Sequence, residues 1–410
     1  MGIITTRQPI FDRKQEVVGY EVCCAIRSDR LFAFENEIGN TLLLIGLNRL
    51  TGGKRAFVPV MGEMLLNDDS LSLPELSIVI EILKCLDPVD ILIDACAKLK
   101  SAGYTLALGD FVIRKNLSSL FDLADIIKID IAGLTIEEER ALIDNRPNGS
   151  IKFLAARVET MEQFEDSFKA GFDLFQGYFF SEPIVVSGRE IPGYKLNHLR
   201  VLNEVNRKDI EFGDLDKIIR QDVTLSYKLL NFINSAFFGL RYNVSSIRHA
   251  LDLLGEREIK RWASLVILCD IGKDKPLELL AASLVRANLC EAFAPQVGLE
   301  AKSSELFLMG LFSLVDILVG RTMKDIMDEM PLATDIKSAL CGEDNKFRKL
   351  LNLVLHYERG DFESFLRYAS EMDINLGTVT DHYLASVERA EEALQLYGPQ
   401  KVSLGAFRGN

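Results

Sequence analysis

The segment TLALGDFVIRKNLSSLFDLADIIKID, residues 105–130, is the most informative about the fold of the first half of the chain. It contains two short apolar runs, Thr105–Leu108 and Ile126–Ile129, separated by a segment in which apolar residues have helical spacing. Two short strand-like runs on either side of a helical segment are typical of a βα unit in a parallel sheet. The stretch therefore predicts an α/β fold for this part of the chain.

Runs of the same kind recur on both sides of this stretch. They are Val17–Tyr20, Ala56–Val60, Ile78–Ile80 and Phe153–Ala155. Helical segments separate them, and a capping box of Thr160 and Gln163 predicts where one helix begins. Six or more βα units in about 180 residues favour a closed (β/α) barrel of the TIM type.

The sequence pattern changes after residue 181. Proline and glycine cluster between Ser181 and Lys195, which predicts a linker. Beyond it strand-like runs disappear, and apolar residues such as Leu225 and Leu229 recur at helical spacing, which predicts an all-helical second half. We therefore predict a barrel domain at residues 1–185, a linker at 186–195 and an all-helical domain at 196–410.

Composition excludes several classes of protein. With 48% hydrophobic and 26% charged residues, the 410-residue chain is not disordered. Its net charge of −13 has the wrong sign for binding a nucleic-acid backbone. The longest apolar stretch, Leu306–Val319, is shorter than the roughly 20 residues that cross a bilayer, and the seven cysteines form no CxxC pair. We expect a cytoplasmic protein with reduced thiols, no membrane insertion and no nucleic-acid partner.

Polar residues close most of the strand-like runs. They include Glu21, Glu81, Asp110, Lys128 and Glu159. Carboxylates and a lysine that converge at a barrel mouth suit a divalent-metal phosphodiesterase, because carboxylates hold the ions that activate water. Acids and lysines also commonly solvate the ends of strands, so spacing alone leaves both interpretations open.

Eight short motifs carry a family resemblance. They are Gln8-Pro9-Ile10, Gly19-Tyr20-Glu21, Ile80-Glu81, Asp110-Phe111, Ser118-Ser119-Leu120, Lys128-Ile129-Asp130, Val158-Glu159-Thr160 and Gln176-Gly177-Tyr178. In this order they resemble the EAL domains, the cyclic di-GMP phosphodiesterase family, over roughly residues 1 to 185. The resemblance implies a TIM-like barrel, two Mg²⁺ or Mn²⁺ ions and hydrolysis of cyclic di-GMP to the linear dinucleotide.

The chain also departs from the family at four positions. An arginine that contacts phosphate in the family is replaced by Ala25, and a metal-binding asparagine by Pro59. The first of two paired aspartates is replaced by Gly109, and a glutamate by Ala156. The family positions that survive are Glu21, Glu81, Asp110, Lys128, Glu159 and Gln176.

Three lost metal ligands leave few fixed oxygens for a two-ion cluster. We therefore expect no catalytic residue and no metal or other cofactor. If Mg²⁺ or Mn²⁺ binds at all, its ligands would be Glu21, Glu81 and Asp110. We do not expect cyclic di-GMP to bind, because its phosphates would face carboxylates without the lost arginine or the metals.

The second half carries its own resemblance. Its four histidines are each followed by a residue other than Asp, which does not suit an HD-type metal site. Ile219-Arg220-Gln221-Asp222, Asn234-Ser235-Ala236-Phe237-Phe238-Gly239, Ser245-Ser246-Ile247 and Leu254-Gly255 resemble the HDOD family, an HD-like helical bundle without metal ligands. This resemblance covers roughly residues 196 to 400.

Together the halves resemble the EAL–HDOD signalling proteins of bacteria. We expect a non-catalytic regulator that contacts a signalling protein through its HDOD domain. The alternatives are a divalent-metal phosphodiesterase acting on cyclic di-GMP, and a receptor that binds this nucleotide without cleaving it. The sequence leaves the identity of the partner and the formation of a homodimer open.

Overall fold

The computed structural model of the chain describes ten stretches of residues, 3–26, 46–60, 78–82, 89–109, 111–114, 117–144, 151–181, 193–207, 211–234 and 242–398. The chain divides into two compact units. The first comprises Met1–Glu182 together with Asn352–Glu388, and the second comprises Pro183–Leu351 together with Arg389–Asn410.

Eight strands of the first unit form a closed barrel in sequence order. They are β1 (Ile3–Asp12), β2 (Val17–Ile26), β3 (Arg55–Val60), β4 (Ile78–Ile82), β5 (Thr105–Gly109), β6 (Ile126–Asp130), β7 (Lys152–Ala156) and β8 (Leu174–Gln176). Strand β1 runs antiparallel to both of its neighbours, β2 and β8, whereas every other neighbouring pair is parallel. The predicted TIM-like barrel is confirmed, and all six predicted strand runs lie in strands.

Two strands were not predicted from the sequence. Strand β8 has only three residues, and β1 contains Pro9, which cannot donate to a ladder. These two strands pair with each other: Ile10 of β1 lies opposite Gln176 of β8, and Asp12 lies opposite Leu174. Closing the barrel satisfies backbone groups that a short edge strand would otherwise expose.

Apolar side chains fill the inside of the barrel. The cluster comprises Ile10, Phe57, Val79, Ala107, Ile126, Leu154, Ala156 and Leu174, all buried. Successive side chains of a strand point to opposite faces, so residues two positions away from these also point inward. This alternation brings polar side chains of several strands together above the apolar layer.

Six helices among the described residues lie between strands of the first unit, which we call the barrel unit. They are α1 (Leu47–Thr51), α2 (Val89–Ser101), α3 (Phe111–Arg114), α4 (Ser118–Phe121), α5 (Ile136–Asp144) and α6 (Met161–Ala170). The predicted capping box at the start of α6 is confirmed, since Thr160 accepts from the Gln163 backbone and the Gln163 side chain accepts from the Thr160 N–H. A 3₁₀ turn, Phe179–Ser181, follows β8.

The remaining helices follow the barrel strands in the chain. They are α7 (Gly193–Val205), α8 (Phe212–Gln221), α9 (Val223–Ile233), α10 (Ile247–Ile271), α11 (Leu277–Phe293), α12 (Ser303–Phe312), α13 (Val315–Val319), α14 (Met323–Glu329), α15 (Thr334–Leu340), α16 (Lys346–Glu358), α17 (Phe362–Glu371) and α18 (Leu376–Tyr397), with a 3₁₀ turn at Glu300–Lys302. The expected all-helical second half is confirmed for the described residues. Helix α7 begins at Gly193, inside the predicted linker 186–195, while residues 182–192 lie outside the described part.

The end of α16, α17 and most of α18 belong to the barrel unit, although the sequence predicted one domain over 196–410. The Tyr357 hydroxyl donates to the Thr5 carbonyl of β1 at 2.5 Å, and Tyr383 accepts from the Arg7 N–H at 3.3 Å. Tyr178, just after β8, donates to the Glu358 carbonyl at 2.9 Å. The division therefore differs from the prediction because buried tyrosines join distant parts of the sequence.

In the second unit, α11 and α12 lie against each other at very short distance. A Cβ built on Gly310 of α12 would lie 2.5 Å from the Ala287 Cα and 2.5 Å from the Arg286 carbonyl carbon of α11. Only a glycine allows two helix backbones to approach this closely without displacement. None of the described helices is long and apolar enough to span a membrane.

Candidate functional site

Eight inward-facing positions form a layer above the apolar cluster, at the ends of β2 to β8 and on β1. We call this layer the mouth ring, and it comprises Gln8, Glu21, Pro59, Glu81, Gly109, Lys128, Ala156 and Gln176. Each position except Glu21 lies two residues from a member of the apolar cluster on the same strand, and Ala156 is itself a member of that cluster. The carboxyl ends of barrel strands are where sites of such folds are built.

The polar members of the mouth ring form one connected network. The Lys128 Nζ lies 2.8 Å from Glu21 Oε2 and 2.5 Å from Glu81 Oε1. The Gln176 amide donates to Glu21 and, at 2.8 Å, to the side-chain oxygen of Gln8. Lys128 thus bridges the two carboxylates of the ring, and Gln176 orients one of them.

Most of this network is shielded from water. Glu81 is completely buried, Gln176 is 2% exposed and Glu21 is 9% exposed. The Lys128 side chain is 12% exposed. At such low exposure the ion pairs are screened little by solvent, and removing either partner would leave an uncompensated buried charge.

Local backbone geometry holds Gln176 in place. The Val158 N–H donates to the Gln176 carbonyl at 2.9 Å, and the Phe179 N–H donates to the Val158 carbonyl at 3.2 Å. Gly177 lies between these two hydrogen bonds, and a Cβ at this position would collide with the Val158 backbone. The glycine of the Gln176-Gly177-Tyr178 motif is therefore needed for the chain to pass Val158 and to keep Gln176 in the ring.

Burial and neighbouring charges shift the protonation of the ring. Burial first, and then the Glu21 carboxylate, raise the pKa of Glu81 from 4.5 to about 7, against the opposing effect of Lys128. Burial lowers the pKa of Lys128, but Glu81 and Glu21 outweigh it and the net shift is upward. Lys128 therefore stays charged at neutral pH and neutralises one carboxylate charge of the pair.

Cys23 lies one inward position beyond Glu21 on β2. Burial, followed by the Glu21 charge, raises the pKa of its thiol well above the usual value. A thiol held in the protonated form is a poor nucleophile and a poor metal ligand. Cys23 therefore adds no reactive group to the mouth of the barrel.

The structure brings together four of the six surviving family positions, namely Glu21, Glu81, Lys128 and Gln176. Glu159 is exposed and lies outside the ring, where its backbone N–H donates to Gln163. Asp110 and the side chain of Ala25 lie outside the described residues. Pro59, Gly109 and Ala156 do occupy ring positions and contribute no side-chain oxygen or nitrogen.

Sequence reasoning did not single out Gln8 as a site residue. Its side chain accepts from Gln176 and thereby joins the network. The signal was present, because Gln8 opens the first of the eight motifs. Its role depends on β1 pairing with β8, a contact between residues far apart in the sequence.

The described part of the ring does not suit a divalent cation. No group of three or more His, Cys, Asp or Glu side chains that could hold a metal occurs among the described residues. The two carboxylates of the described ring already share the Lys128 ammonium group. An ion there would need to displace this ammonium and would find hydrocarbon or backbone at Pro59, Gly109 and Ala156.

Comparison with known proteins agrees with this architecture. The model of the HDOD domain matches residues 192–337. YuxH of Bacillus subtilis (strain 168) is 33% identical over 388 residues, which cover 91% of this chain and 95% of YuxH. The cyclic di-GMP phosphodiesterase CdgJ of Vibrio cholerae serotype O1 is 30% identical over 400 residues, covering 95% of this chain and 93% of CdgJ.

Solved structures similar to the chain include EAL domains. An EAL domain protein from Listeria monocytogenes EGD-e has a TM-score of 0.34 and 22% identity, covering 44% of this chain and 88% of its own. The FimX EAL domain from Pseudomonas aeruginosa, bound to c-di-GMP, has a TM-score of 0.36 and 17% identity. The similarity covers 44% of this chain and 90% of the FimX chain.

The barrel and the helical domain together define a signalling protein of the EAL–HDOD class. The chain belongs to this EAL–HDOD family, and YuxH and CdgJ are relatives that it matches over nearly the full length of both proteins.

Proposed function

We propose that this chain is a non-catalytic signal transduction protein whose EAL barrel has lost phosphodiesterase activity. The observation that carries the proposal is the composition of the mouth ring. Three of its eight positions, Pro59, Gly109 and Ala156, have no side-chain oxygen or nitrogen that could bind a metal. Both carboxylates of the described ring are paired with Lys128. A phosphodiesterase of the metal-dependent type needs fixed oxygens that neutralise phosphate through bound ions.

The regulator acts through protein contacts, with a signalling protein as the partner of the HDOD domain. Support for this part comes from the match of residues 192–337 to the HDOD domain, which in this chain is joined to a barrel. No cofactor takes part in this proposal.

A second candidate is a cyclic di-GMP phosphodiesterase, favoured by the similarity to CdgJ at 30% identity over most of both chains. A third is a receptor that binds cyclic di-GMP and does not cleave it, which would use the remaining polar residues of the ring. In both the phosphodiesterase and the receptor, the phosphates of cyclic di-GMP would approach the Glu21 and Glu81 carboxylates. Repulsion between like charges opposes this approach.

A product assay separates the candidates. The full chain is incubated with cyclic di-GMP and either Mg²⁺ or Mn²⁺, and linear dinucleotide is detected by chromatography, with a parallel calorimetric titration of the nucleotide. We expect neither product nor heat. Heat without product would favour the receptor, and linear product would overturn the proposal, provided that Glu21→Gln abolishes it.

A restored ring provides the matched positive variant. Pro59→Asn, Gly109→Asp and Ala156→Glu together return the side chains that the EAL resemblance implies at these positions. We expect Mn²⁺ to raise the melting temperature of this variant and to leave the melting temperature of the wild-type chain unchanged, because metal that binds only the folded state stabilises it. An equal shift in both proteins would show that the original ring already holds the ion.

A further inference from the structure

The second compact unit, which we call the helical unit, contains a cavity of about 370 Å³. The residues that line this cavity have no role in the proposed function. The cavity lies among α9, the end of α10 and the end of α18, and its lining includes Tyr227, Lys228, Asn231, Asp270, Lys273 and Tyr397. The volume is at the lower end of the range for small-molecule sites, which suits one compact ligand.

Positive charge is concentrated at this cavity. The Asp270 carboxylate is 2% exposed, and its Oδ1 lies 3.0 Å from Lys228 Nζ and 2.8 Å from Lys273 Nζ. His198 Nε2 lies 3.8 Å from the other oxygen, Oδ2. Two ammonium groups share one carboxylate, so the charged side chains among the described lining residues sum to +1 in a chain of net charge −13.

Both ammonium groups keep the capacity to bind a further anion. Each carries three N–H donors, and the ion pair with Asp270 uses one of them. Lys228 is 19% exposed and Lys273 is 53% exposed at the side chain, so both reach the solvent side of the cavity. Because buried Asp270 already fixes the two lysine side chains, they lose less conformational entropy when an anion binds.

Aromatic rings stand next to these charges. Tyr227 lines the cavity one residue before Lys228 and is 67% exposed, which leaves its ring accessible. Phe232 and Tyr397 form a second wall, with ring centroids 5.8 Å apart in an edge-to-face arrangement. An exposed aromatic ring beside a cationic pair can stack on a flat heterocycle while the charges hold an attached anion.

We propose that this cavity binds a nucleoside monophosphate. Lys228 and Lys273 bind its phosphate, Tyr227 stacks on its base, and the Asn231 amide offers a hydrogen bond to its polar edge. The phosphate is favoured over a carboxylate because lysine ammonium groups suit a multiply charged group of several oxygens. The site lies in the helical unit and does not depend on the mouth ring of the barrel.

The test is calorimetric titration of the full chain with GMP at low salt, followed by guanosine and by inorganic phosphate. We expect GMP to bind and each of the two fragments to bind at least about tenfold more weakly, because each makes only part of the contacts. Rising ionic strength is expected to weaken the GMP complex. Absence of GMP binding at millimolar concentration would overturn the proposal, and so would phosphate that binds as tightly as GMP.

Two variants locate the site. We expect Lys273→Gln to weaken GMP binding about tenfold and Tyr227→Ala about fivefold, since both residues are largely exposed and their replacement should preserve the fold. Lys324→Gln, which changes an exposed lysine of α14, serves as the control and should bind like the wild type. Thermal melts verify that the variants are folded.

Two results in this series would contradict the assignment. Wild-type affinity in both Lys273→Gln and Tyr227→Ala would exclude the cavity as the binding site. Loss of GMP binding in the folded barrel variant Glu21→Gln would place the nucleotide in the mouth ring. The readout is binding without turnover, so its outcome is independent of whether the barrel hydrolyses cyclic di-GMP.

Discussion

At the residue scale, Glu81 shows how the barrel changes the chemistry of a single side chain. The sequence places a glutamate at the end of a strand, where spacing alone leaves open whether it holds a metal or is solvated. In the structure it is completely buried and paired with Lys128 at 2.5 Å. Its protonation is therefore controlled by desolvation and by two neighbours that come from other strands.

Glu81 makes stability depend on pH. In the unfolded chain its carboxyl loses a proton near the ordinary pKa of 4.5, whereas in the folded chain it retains the proton up to about pH 7. The folded state binds more protons between these values, so this group lowers the free energy of unfolding as pH rises from about 4.5 to about 7. Above about pH 7 both states are ionised and the loss levels off.

We expect Glu81→Gln to remove this decrease, which should be on the order of 1–3 kcal/mol across the interval. The measurement is urea unfolding of both proteins at several values between pH 4.5 and pH 8. Glu159→Gln, at an exposed position, is the control and should keep the wild-type slope. Parallel curves for wild type and Glu81→Gln would contradict the burial of an ionisable Glu81.

At the element scale, the crossing of α11 and α12 depends on Gly310. Gly310 lies within residues 196 to 400, the part of the sequence that resembles the HDOD family. The structure adds that the Gly310 Cα faces the backbone of Ala287 and Arg286, with no space for a methyl group. A close crossing of this kind cannot be derived from helical periodicity, because it depends on which helices become neighbours.

Gly310→Ala should lower the free energy of unfolding by about 2–4 kcal/mol, since two helix backbones must separate to accept one methyl group. Chemical denaturation monitored by circular dichroism measures this change. Gly213→Ala in α8 is the matched control, because a Cβ there meets nothing within 4 Å. Its expected effect is neutral or a gain of up to about 1 kcal/mol from helix propensity. Similar losses in both variants would mean that the close crossing is not the cause.

Elements also differ in how well they could be predicted. The runs that became β3 to β7 are rich in β-branched and apolar residues and were found from the sequence. Strands β1 and β8 were missed because one contains a proline and the other has three residues. Their strand conformation comes from pairing with each other and from closing the barrel.

At the scale of the whole molecule, the barrel unit is discontinuous in sequence. Residues 352–388 follow the HDOD match yet cluster with residues 1–182. Tyr357, Phe365 and Tyr383 in this segment are at most 2% exposed. A truncation that removes residues 1–185 would therefore also remove Thr5 and Arg7, the hydrogen-bond partners of the buried Tyr357 and Tyr383.

We expect this truncated protein to be cleaved by trypsin within residues 352–388, where Arg359 and Arg367 offer sites, while the full-length chain resists cleavage there. Mass spectrometry of timed digests identifies the positions. Residues 303–340 lie outside the barrel unit and serve as the internal control, since their protection should be the same in both proteins. Equal protection of 352–388 in the two proteins would show that this segment folds without the barrel.

The amino-acid sequence was sufficient to predict the class of fold, the central strands and most members of the mouth ring. The class of fold and the central strands follow from local periodicity, whereas the ring positions are those that the resemblance to the EAL domains implies. The three-dimensional structure was needed to show that Lys128 pairs with both carboxylates, that β1 and β8 close the barrel, and that residues 352–388 belong to the barrel unit. Such features depend on desolvation and on contacts between residues far apart in the chain, which no local pattern encodes.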